Sequence, residues 1–255
     1  MRLGPVPLAG LLGFALFALP LLGLLGEAPW GETASLLGEA RVRTALALSL
    51  VVSTAAVALS LALGFPLAWL LARYEFPGRA ALRTIVTLPM VMPPVVAGVA
   101  LLAAFGRHGL LGGALEVVGI HLPFSTLAAV LASAFVAAPF LVTSLETGFH
   151  QAERRYEDVA ATLGASRWLV FRTVLLPGIR PALGAGLALC WARALGEFGA
   201  TITFAGNLEG RTQTVPLAIY QILQTDPERA FLLAALLLAI SVLVIAGLRG
   251  RRLAG

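Results

Sequence analysis

Apolar residues run in long blocks along this chain, and short charged segments separate the blocks. A bilayer's hydrocarbon core takes about 20 mostly apolar residues per helix. Six blocks meet that length: about Leu8 to Gly26, Ala45 to Ala72, Ile85 to Phe105, Thr126 to Leu145, Ala182 to Ala205 and Ala230 to Leu248. The pattern predicts an all-α polytopic membrane protein with about six transmembrane helices in one domain spanning residues 1–255. The second and third blocks are divided by RYEFPGRAALR, a short loop with a Pro-Gly turn signal.

Within the third block, LPMVMPPVVAG places Pro89, Pro93 and Pro94 where a helix has to break or kink. Proline supplies no amide proton, so carbonyls are freed that need partners in protein or water. Pro93 and Pro94 are therefore candidates for a gate or cavity lining, the alternative being a helix that begins after Pro94. Ser49, Ser53 and Ser60 of the second block read as packing hydroxyls.

The fifth block carries two parallel series at four-residue spacing. Gly184, Ala188, Ala192, Gly196 and Ala200 form a small-residue stripe that lets another helix approach closely. One residue further on run Arg193, Glu197 and Thr201. Ionisable groups inside a span are costly and face a cavity or a partner, and Arg193 and Glu197 are spaced to pair. This series borders either a pathway near a subunit interface or a structural ion pair that pins the helix.

Between the fourth and fifth blocks, within a loop of about residues 150–180, lies EDVAATLGASRWLVFRTVLLP. Glu157 and Asp158 open an amphipathic segment, where negative charge suits a helix N-terminus. Val159, Ala160 and Leu163 share a face at helical spacing. Gly164 permits a bend or a helix end. A second segment with Trp168, Leu169, Phe171 and Val174 is expected to stop at Leu176-Pro177. Two short helices with a glycine joint are expected to lie along the membrane face, either docking on a soluble partner or resting there as a plain interfacial helix.

Composition agrees with a membrane protein: 59% of residues are hydrophobic and 12% charged, against about a quarter charged in soluble domains. All 18 basic residues are Arg. With a cytoplasmic N-terminus, the inner segments hold Arg2, Arg73, Arg79, Arg83, Arg154, Arg155, Arg167, Arg172, Arg180, Arg249, Arg251 and Arg252. The outer segments hold Arg41, Arg43, Arg107, Arg211 and Arg229. Twelve against five follows the positive-inside rule and puts both termini and the 157–177 loop in the cytoplasm. The net charge of +5 is thereby a matter of membrane orientation, and nucleic-acid binding is not expected. The first block exceeds a signal peptide's apolar region, which favours an uncleaved span.

Candidate chemistry is sparse. Cys190 is the single cysteine, and His108, His121 and His150 are scattered without ligand spacing, so neither a disulfide nor a metal site is expected. A phosphate-binding loop needs G-x-x-x-x-G-K-[ST], and the chain contains no lysine. No enzyme activity and no cofactor are expected. A membrane enzyme would need a convergent His, Asp or Ser constellation. An ion-coupled secondary transporter would need more intramembrane carboxylates than Glu197.

The spacing of the loop carries a resemblance. Glu157, Gly164 seven residues on, and Leu176-Pro177 thirteen beyond that resemble the coupling loop of ABC-transporter permeases, whose pattern is Glu-Ala-Ala, three residues, Gly, nine residues, Ile-x-Leu-Pro. Two departures are present: Val159-Ala160-Ala161 shifts the paired alanines, and Val174 stands where Ile is usual. The stretch RALGEFGATITFAGNLEGRTQTVPLAIYQ and PPVVAG further resemble molybdate/tungstate permeases, and sulfate/thiosulfate permeases share the outline. The likeness runs from the second block onward.

The resemblance implies a type I ABC importer permease in the cell's inner membrane, working as a homodimer among membrane lipid. It implies two cytoplasmic ATPase subunits and an extracytoplasmic oxyanion-binding protein that carries most of the selectivity. It implies that Glu157, Asp158, Ala160, Ala161, Leu163, Gly164, Ala165 and Trp168 dock on the ATPase, with Pro177 closing the motif. Gly206–Thr214 is then a candidate for gate or binding-protein contact, the alternative being an ordinary turn.

Overall fold

The computed structural model describes residues 6–250, all of its regular elements helical. Arg2, Arg251 and Arg252 of the topology count lie outside the described residues. The chain begins with α1 (Val6–Glu27), a 3₁₀ turn, α2 (Thr33–Gly38) and α3 (Ala40–Arg73). Next come α4 (Arg79–Thr87), a 3₁₀ turn (Leu88–Met90), α5 (Pro94–Phe105), α6 (Gly112–Val117) and α7 (Thr126–Gln151). The loop follows as α8 (Arg154–Thr162) and α9 (Arg167–Val170), which runs through a π-helical turn (Phe171–Leu175) into α10 (Leu176–Leu195). α11 (Gly199–Phe204), α12 (Val215–Leu223) and α13 (Pro227–Gly250) complete the described chain.

Five of these helical segments are long and apolar enough to cross a membrane, and the bent pair α4–α5 brings the number to six. α7 is the central one, packed along α3 on one side and α10 on the other. α11 lies on α5, while α12 and α1 pack on α13. Lipid removes most of the hydrophobic drive between such helices, so close approach and dispersion decide their packing. Glycine makes the approach. A Cβ on Gly148 would stand 2.5 Å from Ala182 Cβ, and one on Gly186 would stand 2.9 Å from Ser144 Cβ.

The third span breaks at the prolines, as the sequence requires: it is two helices bent by 119° at residues 91–93, with α5 starting at Pro94. The bend sits where Pro93 and Pro94 remove successive amide donors. Other expectations are corrected. The fifth span is not continuous: α10 ends at Leu195 and α11 begins at Gly199. Of the stripe Gly184, Ala188, Ala192, Gly196 and Ala200, Ala188 and Ala200 are buried, Gly184 and Ala192 half-buried and Gly196 exposed, while Ile179, Gly186, Cys190 and Ala194 form a second series that is buried throughout. Finally, Pro177 does not stop a helix. It sits in the first turn of α10, where a missing amide proton costs little. The π turn before it widens the helix, and Leu176 N–H donates to Phe171 O five residues back.

Candidate functional site

The loop between α7 and α10 is built by local capping. α8 ends with Gly164 at φ +85°, the left-handed region that glycine enters without strain. Gly164 N–H donates to Ala161 O and Ala165 N–H to Ala160 O, a double bond pattern that satisfies the helix's last carbonyls. Ser166 Oγ then accepts from Leu169 N–H at 3.3 Å and starts α9. The two short helices and their glycine joint are thus as the sequence spacing requires.

The loop's outer surface is apolar although its helices are charged. Leu163 is 83% exposed and Trp168 67%. Tyr156, Val159 and Leu169 are exposed with them, as are Asp158, Ala161 and Gly164, while Ala160 and Ala165 are half-buried. Lone exposed apolar residues are ordinary, but a cluster at a motif's centre marks a contact surface.

The loop is also held from behind, and Glu157 belongs to that anchorage. Its Oε1 accepts from Arg73 Nη2 at 2.5 Å, the side chains being 22% and 7% exposed. Arg73 lies over the Trp69 ring, 5.4 Å from its centroid. Trp69 meets Phe149 edge-on at 5.2 Å, Phe149 meets Phe65 at 5.4 Å, and Phe65 meets Phe171 at 6.1 Å. Phe171 stacks on Trp168 at 5.5 Å. A chain of rings and one ion pair therefore fastens both loop helices to the end of α3. Beside it, Arg83 donates to Glu146 Oε1 through both Nε, at 2.9 Å, and Nη2.

The second cluster is at the α5/α11 junction. Gly196, Glu197 and Phe198 form the break between α10 and α11. Glu197 is 2% exposed. Its Oε1 accepts from Ala200 N–H at 2.8 Å, and its Oε2 lies 2.6 Å from Arg193 Nη1. Oε1 is hydrogen-bonded, while Oε2 meets Arg193 as an ion pair without a hydrogen bond. The pairing at four-residue spacing survives although the helix does not. Thr201 is fully buried, and its Oγ1 has no hydrogen-bond partner among the described residues. α11 fits against α5 through glycines: a Cβ on Gly199 would stand 2.4 Å from Pro94 Cβ, and one on Gly98 would stand 2.5 Å from Thr203 Cβ. Pro93 and Pro94 are exposed at this junction. The structure brings Pro94 against α11 and joins Arg193 to Glu197.

The turn at Gly206–Thr214 holds a polar network with Thr212, Gln213 and Thr214 buried and Leu208 to Arg211 exposed. Gln213 Nε2 donates to Asn207 Oδ1 at 2.9 Å and Gln221 Oε1 at 2.7 Å, and Arg41 Nε donates to Gln213 Oε1 at 3.2 Å. Ser49 Oγ accepts from Val215 N–H at 2.7 Å, which makes that hydroxyl the seat of α12. Sequence reasoning missed Arg73–Glu157, Arg83–Glu146 and the pairing of Arg229 with Glu39 at 2.7 Å. The partners lie 84, 63 and 190 residues apart, beyond any local pattern. The one available signal for Arg73–Glu157 was their placement on the same membrane face by the arginine count.

Comparison with known proteins agrees with this architecture. Over 246 residues the chain is 44% identical to the molybdenum transport system permease protein ModB of Mycobacterium tuberculosis, covering 96% of this chain and 93% of the relative. It is 46% identical over 182 residues to ModB of Escherichia coli K12, with 71% and 80% covered. The sulfate transport system permease protein CysT of Escherichia coli K12 is 35% identical over 238 residues, with 91% and 86% covered. The fold of this chain matches, at TM-score 0.74 and 19% identity, a chain of a bacterial ABC transporter involved in the import of the acidic polysaccharide alginate, covering 98% of this chain and 94% of that one. Residues 64–253 match the inner membrane component of binding-protein-dependent transport systems. The chain belongs to that family and is a membrane permease subunit of the ABC importer type.

Proposed function

We propose that the chain forms the membrane pathway of an importer for a tetrahedral oxyanion, molybdate or tungstate, driven by ATP hydrolysis on separate subunits. Two copies pair in the cell's inner membrane, two cytoplasmic ATPase subunits engage their loops, and an extracytoplasmic protein delivers the anion. The observation that carries the reading is the loop of residues 151–176. It presents Tyr156, Val159, Leu163, Trp168 and Leu169 to solvent while Arg73 and the ring chain hold it from behind. A surface that is apolar outside and anchored inside suits transmission of rigid-body motion from a docked partner. The arginine distribution supports a cytoplasmic loop and cytoplasmic termini. The absence of lysine supports hydrolysis elsewhere. One domain of residues 1–255 includes both the loop and the pathway.

The choice of oxyanion rests on the ModB relatives, whose identity exceeds that of CysT. Sulfate is the second reading because the CysT alignment also covers most of the chain. In this arrangement Pro93, Pro94, Arg193, Glu197 and Thr201 belong to the gate. Arg193 is neutralised by Glu197, so it holds the broken helix rather than the anion, and α11 slides or tilts against α5 at Gly98 and Gly199. The test is uptake by proteoliposomes holding this chain with its ATPase and binding protein. ATP-dependent uptake competed best by molybdate or tungstate is expected. Preference for sulfate moves the substrate, and uptake without the ATPase overturns the mechanism.

A further inference from the structure

We propose a binding site for a phospholipid with an amino headgroup on α4, beside the loop that docks the partner; it depends only on the chain's residence in a membrane. α4 turns by 119° from α5. It carries Arg79 and Arg83 on one side and Ile85 and Val86 on another, the composition of a helix lying in a membrane interface.

Arg79, Arg73, His150, Glu75 and Glu153 line a polar pocket of about 410 Å³ at its first turn. Most of these charges are already matched. Arg73 pairs with Glu157, and Glu153 Oε2 lies 3.0 Å from Arg155 Nη2. His150 Nε2 is 3.7 Å from Glu146 Oε1, which Arg83 also holds. Two charges remain without an ion-pair partner among the described residues, Arg79 and Glu75. Arg79 Nε is buried with no hydrogen-bond partner, which is costly for a charged donor. Glu75 is exposed. A simple anion would satisfy Arg79 and face Glu75, and a simple cation would do the reverse. A zwitterion with phosphate and ammonium satisfies both.

The same helix opens a second pocket that fits the rest of such a molecule. An apolar crevice of about 350 Å³ is lined by Leu63, Leu67, Ile85, Val86, Pro89 and Phe135. Leu63 and Ile85 are exposed at its rim, so it communicates with the hydrocarbon. Ile85 lies six residues past Arg79, about 9 Å along the helix axis and about a third of a turn around it. An acyl chain on a phosphate at Arg79 is long enough to follow the surface of α4 into the crevice, and the ammonium reaches toward Glu75. Basic pockets between membrane helices are a recurrent headgroup site; here the neighbouring carboxylate selects the amino headgroup.

The experiment uses the full chain in nanodiscs of phosphatidylethanolamine, phosphatidylglycerol and phosphatidylcholine in equal amounts with matched acyl chains. Lipids retained after extraction are read by native mass spectrometry. Preferential retention of phosphatidylethanolamine is expected. Arg79→Gln reduces it roughly tenfold. Glu75→Gln removes the preference over phosphatidylcholine but not binding. Ile85→Trp, which fills the crevice, lowers retention of all three. Arg172→Gln, an exposed arginine of the loop, leaves retention unchanged. Preference for phosphatidylglycerol overturns the zwitterion assignment. Displacement of lipid by millimolar inorganic phosphate overturns the acyl-chain half. Equal retention of all three by the unmodified chain overturns the site, whatever the variants do. Retention is read without transport, so its failure is separate from failure of the importer reading.

Discussion

Replacing Glu157 by Gln removes one charge from the pair that ties α8 to α3. The pair is short, at 2.5 Å, and Arg73 is nearly buried, at 7% side-chain exposure against 22% for Glu157. Breaking a fully buried pair costs about 3–5 kcal/mol, and an exposed pair is worth about 0–1. Partial exposure of Glu157 and the remaining contact of Arg73 with Trp69 put the loss between these, at about 2 kcal/mol. That is roughly 30-fold in an equilibrium constant, and about 4–8 °C in Tm for a chain of this size. Asp158, the adjacent carboxylate, is exposed, and no ion pair is formed by it among the described residues. Asp158→Asn is therefore expected to hold the stability within about 0.5 kcal/mol of the parent, with little change in Tm. The assay is thermal unfolding of the purified permease without its partner, followed by ATPase stimulation after reconstitution. Glu157→Gln lowers Tm and weakens stimulation. Equal Tm for the two variants would refute the assignment of Glu157 to the internal anchorage and return it to the docking surface.

Trp168→Ala is expected to reduce ATPase stimulation more than it lowers Tm, because its indole is mostly exposed and joins the ring chain only at its end, by stacking on Phe171; a Tm loss matching that of Glu157→Gln would refute a mainly docking role. Gly164→Ala puts a Cβ at φ +85°, costing about 1–2 kcal/mol, and should weaken partner binding in a pull-down; unchanged binding would show that the joint tolerates another geometry. Glu197→Gln leaves Arg193 without its carboxylate partner at 2.6 Å and weakens the acceptor for Ala200 N–H. A loss of uptake of at least tenfold is expected with the protein still inserted, and parental uptake would show that the break needs no charge. Gly199→Val drives a side chain into Pro94 and should abolish transport before it abolishes expression, read as uptake per inserted chain.

Hydropathy alone determined the helical class and the number of spans, because a hydrocarbon core fixes both the length and the internal hydrogen bonding of whatever crosses it. The loop was legible for a similar reason: Gly164 and Ser166 are local capping signals, and their effect is complete within a few residues. The Arg193–Glu197 pair was legible because four residues of separation place the two on one side of a helix. What the sequence did not contain was the direction in which surfaces face. Small residues recur at both Gly184–Ala188–Ala192 and Gly186–Cys190–Ala194, and only the packed structure shows that the second is buried throughout while the first is buried at Ala188 alone. Pro177 reads as a helix end until the structure shows it in the first turn of α10, behind a π turn closed by Leu176 N–H on Phe171 O. That Glu157 also pairs with Arg73, 84 residues away, shows only once α3 lies beside the loop. Contacts of that range are set by packing geometry, which the tertiary structure alone decides, whereas capping, periodicity and span length are set by neighbours along the chain.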